Sequence, residues 1–312
     1  MTAAEDAPSA GAARPGGARP LRGAALERFG RLLDLQISRF EWQDAQAFGR
    51  ALGRLGWALA HRDRRRPLEN LASACPDSPA AARARLGRAS FLHFGCMLTE
   101  ALWMAGRGSD EVLRRVRFEG WREIERARAA GRPILIVTGH CGNWELLAAA
   151  LNVRGLGMAV VARELDDPGL QARLLGLRER FGTRTILRGT PGAARQLLKT
   201  LRAGGALGML IDQDTRVEGV WVDFFGRPAY TPVGAAEMAI RLGATVLPTF
   251  IERRPDGSHL AHVEPPLAVP PDPLAATAAM TAAIEAQIRR VPEQWVWLHR
   301  RWRRQPPAER AA

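Results

Sequence analysis

The sequence predicts an α/β fold: a mixed, largely parallel central sheet flanked by helices, with an N-terminal helical region ahead of it. Two observations point there. From about residue 110 onward, short apolar runs alternate with stretches of helical spacing. Several of those runs, such as PILIVTG at 133–139 and ALGMLID at 206–212, are apolar without interruption. Strands with that pattern are buried on both faces, as in parallel sheets covered by helices.

Taken in order, residues 1–20 are rich in Ala, Gly, Pro and Arg and lack an apolar core segment. They read as a disordered lead and not as a signal peptide. Residues 21–105 form the amphipathic helical region. Leu26, Phe29, Leu32, Leu33, Ile37 and Phe40 recur at helical spacing, followed by Phe48, Leu52, Leu55 and Leu59 among arginines. With Trp42 and Trp57, these basic helices suit a membrane interface; equally, their apolar faces suit packing on the rest of the chain. A polar segment at 61–79 leads to a run ending FLHFGCMLTEALWMA at 91–105, where His93 and Glu100 argue against crossing a bilayer.

Residues 106–312 form the α/β part. A charged helix over 111–130 precedes the strand 133–139. The helix WELLAAALN, a strand at 158–163, a helix from Pro168 to Phe181, the short strand RTIL, a helix from Pro191 and the strand 206–212 follow. In FFGRPAYTP, Gly226 and Pro228 make a turn and Phe224 and Phe225 pack inside. Helix and strand recur through Leu242 and TVLPTFI at 245–251. A Pro-rich connector at 264–275 leads to a last helix over about 275–290. His259 and His262 fall in a strand near an exposed edge and receive no role.

Composition narrows the function classes. The 312 residues carry a net charge of +13, nearly all of the positive charge from arginine. That excess calls for an acidic partner, whether phosphate-rich membrane, nucleic acid or a polyanionic substrate. Three cysteines, with no Cys-x-x-Cys pair, argue against a disulfide framework and against structural zinc. No run of some 18 uncharged apolar residues supports a spanning helix.

The chemistry concentrates in GHCGNWELL at 139–147. A hydrophobic strand ends at Gly139, and ligand sites in open α/β sheets favour the carboxyl ends of strands. His140 sits in the strand-to-helix turn, and Asn143 can cap the helix beginning at Trp144. On one continuous helix His140 and Glu145 could not face each other. With His140 in the turn and Glu145 on the first helical turn, the carboxylate can fold back to fix the imidazole tautomer. The helix N-terminus offers N–H groups for an oxyanion. A structural histidine, a Cys141 nucleophile and a metal held by His140 and Glu145 are the competing readings, the last without an evident third ligand.

GHCGNWE, followed by IDQD (211–214), WVDFFGRPAYTPVG (221–234), LGATVLPTFIERRPDG (242–257) and EQWVWLHRRWRR (293–304), resembles the lipid A lauroyl/myristoyl acyltransferases. RRRPLENLASACPDSP resembles the region upstream of their catalytic motif. The resemblance covers roughly residues 50–305. It implies a glycerol-3-phosphate acyltransferase-like α/β fold for 106–312, a His-x4-Asp/Glu dyad that His140 and Glu145 match, and acyl-acyl-carrier-protein or acyl-CoA as donor, with no cofactor. The acceptor it implies is a hydroxyl of a lipid A precursor or related glycolipid. ARELDDP (162–168) resembles a family stretch in which Arg163 is a candidate phosphate binder. Arg178 and Arg180 match a second basic pair, and Asp212 and Gln213 end a buried strand. With Asn143, these are the expected substrate-binding residues. WLHRRWRR, with Trp297 and Trp302, suits a bilayer interface. Many members carry an N-terminal spanning helix and this chain shows no clear one, so peripheral attachment to an anionic membrane, on the cytoplasmic face of the inner membrane, is the expectation, without nucleic acid as a partner. The alternative is a noncatalytic basic module that binds anionic lipid or nucleic acid.

Overall fold

A computed structural model describes residues 36–61 and 64–307. The lead at 1–20 and the repeats at Leu26, Phe29, Leu32 and Leu33 lie outside the described residues. The elements in chain order are α1 (Trp42–Leu59), α2 (Arg65–Ala74), α3 (Ala80–Met104), α4 (Ser109–Arg114), β1 (Val116–Glu119), α5 (Trp121–Ala129), β2 (Ile134–Thr138), α6 (Trp144–Val153), β3 (Met158–Ala162), α7 (Pro168–Arg180), β4 (Arg184–Leu187), α8 (Ala193–Arg202), β5 (Ala206–Leu210), β6 (Gly219–Asp223), β7 (Pro228–Pro232), α9 (Gly234–Leu242), β8 (Thr245–Arg253), β9 (His259–Val263) and α10 (Pro273–Arg290).

Seven strands form one sheet in the order β1-β9-β8-β2-β5-β3-β4. Every pair is parallel except β8 with β9. The mixed, largely parallel sheet is therefore as the sequence predicts. β2 lies between β8 and β5, and its five residues are all buried, which is why it reads as an unbroken apolar run. β6 and β7 form a separate hairpin, with Phe224 and Phe225 buried beside it.

The charged stretch at 111–130 is not one helix. Val116–Glu119 pairs with β9 as the sheet's edge strand. Gly120 then turns the chain at φ 70°, where a Cβ would stand 2.0 Å from the Val263 carbonyl oxygen. Pairing to a strand some 140 residues onward overrides a local helical pattern. β1 also covers β9, so His259 and His262 are buried and not at an exposed edge.

The N-terminal helices are welded to the sheet domain. α1 packs on α3 through Gly49, Gly53 and Gly95, whose backbones touch; a Cβ on Gly95 would lie 2.2 Å from the Gly49 oxygen. Trp42 is buried, and its indole donates to the Gly257 carbonyl at 2.8 Å. The stripe that packs is thus the glycine stripe, and Leu55 and Leu59 are left exposed, as are Phe94 and Leu98 on α3. Among the described residues no helix is long and apolar enough to cross a membrane.

Candidate functional site

β2 delivers the turn 139–143 to the carboxyl edge of the sheet, and the local sequence dictates its shape. Gly142 adopts φ 62°, and a Cβ there would lie 1.8 Å from the Ile251 oxygen. Only glycine fits. Asn143 then caps α6, its side-chain oxygen accepting from the Leu146 N–H at 3.0 Å. The turn is also pinned to the C-terminal segment: the Gly142 N–H donates to the Gln294 oxygen at 2.8 Å, and the Val296 N–H to the His140 oxygen at 3.3 Å.

His140 meets Asp212. β5 is the parallel neighbour of β2, with Thr138 opposite Leu210, so two residues further along His140 stands opposite Asp212. The imidazole Nδ1 lies 2.7 Å from Asp212 Oδ1, and the His140 backbone N–H donates to Oδ2 at 2.7 Å. The Trp295 indole donates to the same oxygen, also at 2.7 Å. Burial alone would raise the Asp212 carboxyl pKa. The His140 charge and the hydrogen bonds from His140 and Trp295 outweigh it and bring the group down to about 2. A carboxylate can only accept, so Nδ1 carries a proton, and in the neutral form of the ring the lone pair is at Nε2. The His140 side chain is 22% exposed, whereas that of Asp212 is sealed at 0%. Its ring stands edge-on to Trp144, with centroids 4.9 Å apart.

The pairing expected between His140 and Glu145 is not formed. Glu145 turns instead to Arg178 on α7, which donates to both its oxygens, from Nε at 2.9 Å and from a terminal nitrogen at 2.7 Å. Glu145 on the first turn of α6 points across to the neighbouring helix, a direction that local spacing does not reveal. This pair borders a narrow apolar slot of about 40 Å³, lined by residues of β2, β3, β5, α6 and α7, among them Trp144, Leu151, Met158 and Val160.

The remaining expected residues disperse. Asn143 is fully buried, and its amide is spent inside the protein: it caps α6 and donates to Glu100 at 2.9 Å. Arg163 is exposed and pairs with Asp166 at 2.9 Å. Arg180 diverges from Arg178 and donates to the Arg107 oxygen at 3.0 Å. Gln213 is half-buried beside Asp212.

Behind the turn lies a second polar cluster that sequence reasoning missed. Glu100 on α3 receives two hydrogen bonds from Arg253 at the end of β8, at 2.8 and 2.7 Å, and one from Gln46 at 2.7 Å. His93 donates to the Gly142 oxygen at 3.2 Å and accepts from Arg253. Burial, then the Arg253 charge, hold the His93 pKa well below its usual value, so it stays neutral. His259 lies 3.5 Å from Glu100. The only sequence signal was the oddity of His93 and Glu100 within an apolar helix.

The aromatic C-terminal block is not a bilayer-facing surface. Trp295, Trp297 and Trp302 are buried, packing on one another and on Phe224 and Phe225. His299, also in this block, is held neutral: burial, opposed by Asp212 and aided by His140, lowers its pKa to about 4. Cys141 is buried, and burial together with the Asp212 charge pushes its thiol well above the usual range, which removes it as a thiolate nucleophile. No group of three or more potential metal ligands occurs among the described residues.

The sequence model of the family described as bacterial lipid A biosynthesis acyltransferase matches residues 44–304. A phosphatidylinositol mannoside acyltransferase of Mycobacterium tuberculosis is 29% identical over 241 residues, 75% of each chain. A lipid A biosynthesis acyltransferase of Haemophilus influenzae is 29% identical over 199 residues, 62% of this chain and 61% of that one. A lipid A biosynthesis lauroyltransferase of Escherichia coli is 28% identical over 269 residues, 83% of this chain and 85% of that one.

Proposed function

This chain belongs to the bacterial lipid A biosynthesis acyltransferase family, and from that premise we propose that it transfers a fatty acyl group from a thioester, acyl-acyl-carrier-protein or acyl-CoA, to a hydroxyl of a lipid A precursor or related glycolipid. The observation that carries the mechanism is the 2.7 Å contact between His140 Nδ1 and Asp212. With Nδ1 protonated, Nε2 accepts the proton of the acceptor hydroxyl as its oxygen attacks the thioester carbonyl. Asp212 orients the ring and stabilises the imidazolium that forms. The tetrahedral intermediate collapses with loss of the thiolate, which takes the proton from His140. N–H groups of the first turn of α6 stand near the reaction as oxyanion donors. No covalent acyl-enzyme is needed, in keeping with the buried Cys141. Glu145 positions Arg178 beside the apolar slot, whose apolar lining suits the acyl chain.

The protein works peripherally at the cytoplasmic face of the inner membrane. The net charge of +13 and the exposed Leu55, Leu59, Phe94 and Leu98 support attachment by charge and by apolar burial. The test is transfer of a labelled acyl group from each thioester to a glycolipid acceptor in anionic vesicles. Wild-type protein forms the ester and folded His140→Ala does not. Equal transfer by the two would sink this mechanism, and equal binding to neutral and anionic vesicles at any salt would sink the electrostatic attachment.

A further inference from the structure

A second concave feature lies apart from the apolar slot. It is an open concavity of about 500 Å³ whose wall carries Arg65, Arg66, Arg227, Arg300 and Arg303, with Trp302 among them. Five guanidiniums face one carboxylate, Glu69, which Arg65 engages at 2.7 Å. Arg303 is shared with the buried Asp214 at 3.3 Å. Arg66, Arg227 and Arg300 have no carboxylate partner among the described residues. Like charges gathered in a concave wall repel one another and focus a positive potential into the hollow. Guanidinium forks match phosphate oxygens in geometry as well as charge. A hollow suits a discrete phosphate better than the flat array of headgroups on a bilayer.

Two further observations bear on the ligand. Trp302 is 8% exposed, and its buried indole nitrogen has no acceptor in the structure. The concavity is also tied to the reaction centre. Asn70, in its wall, donates to the Trp297 and His299 carbonyl oxygens at 2.6 and 2.8 Å. Upstream on that same segment, Val296 bonds to His140 and Trp295 to Asp212. Arg300 follows Val296 by four residues, so their Cα atoms lie at most about 14 Å apart. An extended phosphopantetheine arm spans more than that.

We propose that the arginine concavity holds the phosphate of the donor's phosphopantetheine arm, so that the thioester at the arm's other end lies at His140. This rests on the thioester-dependent acyl transfer proposed above. Acyl-CoA and an acylated carrier protein share this phosphate; CoA adds the rest of its nucleotide phosphates.

The experiment pairs binding with kinetics on Arg66→Ala/Arg300→Ala. Binding of free 4′-phosphopantetheine and of CoA is measured directly, without turnover, and weakens at least about tenfold in the variant, since two charge-assisted contacts are lost. In turnover, kcat/KM for acyl-CoA and for acyl-carrier-protein is compared with that for a phosphate-free acyl thioester. The ratio of phosphorylated to phosphate-free donor falls at least about tenfold, with the change in the donor's KM and not in that of the acceptor. Arg66→Lys/Arg300→Lys recovers part of the loss. A larger fall for acyl-CoA than for acyl-carrier-protein assigns the extra arginines to nucleotide phosphates, and equal falls assign them to the shared phosphate. Unaltered binding of both phosphorylated probes, an altered acceptor KM alone, or reduced vesicle binding with donor selectivity intact would overturn the proposal, the last two marking a lipid phosphate site. If the wild type binds CoA through these arginines yet transfers no acyl group, the anion site stands and the transfer reading falls.

Discussion

Two carboxylates, Asp212 and Glu100, have fully buried side chains, and each is paired to a basic group beside the same turn. The difference lies in the partner. Glu100 faces Arg253, which stays charged at any working pH, and its remaining bonds go to Gln46 and Asn143. Burial raises the Glu100 pKa, but Arg253 and His259 outweigh it and the carboxyl is held well below its usual range. No proton moves there, so the cluster can only hold shape: it anchors Asn143, and through His93 it holds Gly142. Asp212 faces instead an imidazole that reaches solvent, the side-chain type suited to proton transfer. On the proposed mechanism, the same elementary pair serves as scaffold on one side of residues 139–143 and as chemistry on the other.

The sharpest way to break this comparison is to remove the base. His140→Ala loses about 10²–10⁴-fold in turnover, with an unchanged unfolding transition. Asp212→Asn loses a large part of the same factor, because the neutral amide can hold the ring in the wrong tautomer. Glu100→Gln should do the opposite. It leaves Arg253 buried without its counter-charge and costs about 3–5 kcal/mol of stability, read from the denaturant midpoint, while turnover per folded molecule falls much less than in Asp212→Asn. A folded Glu100→Gln protein as inactive as Asp212→Asn would erase the distinction.

Two smaller effects sharpen it. The lowered Asp212 pKa means that its contribution to stability is complete above the ordinary carboxyl value of 3.8 and is lost as pH falls through about 2. The stability gap between wild type and Asp212→Asn therefore shrinks over that acid window, and any acid limb of activity near neutrality arises elsewhere. Glu145→Gln, which loosens Arg178 but leaves His140 and Asp212 paired, stays within about tenfold of wild-type turnover. A loss as large as that of Asp212→Asn would restore Glu145 as the partner of His140.

Much of the scaffold was legible because it is local. The apolar run ILIVT announced a buried strand, its end at Gly139 and the capping Asn143 announced a turn and a helix start, and Asp167-Pro168 and Asp272-Pro273 mark helix starts with side-chain caps at 2.7 and 2.9 Å. Where the reading missed, a distant partner had decided. Val116–Glu119 became a strand because β9 lies alongside. Trp295, Trp297 and Trp302 went inside because Phe224 and Phe225 meet them there.

The sequence by itself determined that His140 would end a buried strand, at the edge of a parallel sheet and ahead of a capped helix, since those features follow from apolar runs, glycine and a capping side chain. The choice of its carboxylate was made only by the tertiary structure. Glu145 is five residues away, yet its side chain leaves along α6 towards Arg178, whereas Asp212 is 72 residues away and arrives opposite His140 because β5 hydrogen-bonds to β2 in one register. Strand order and register are properties of the assembled sheet, so no local spacing could reveal that pairing.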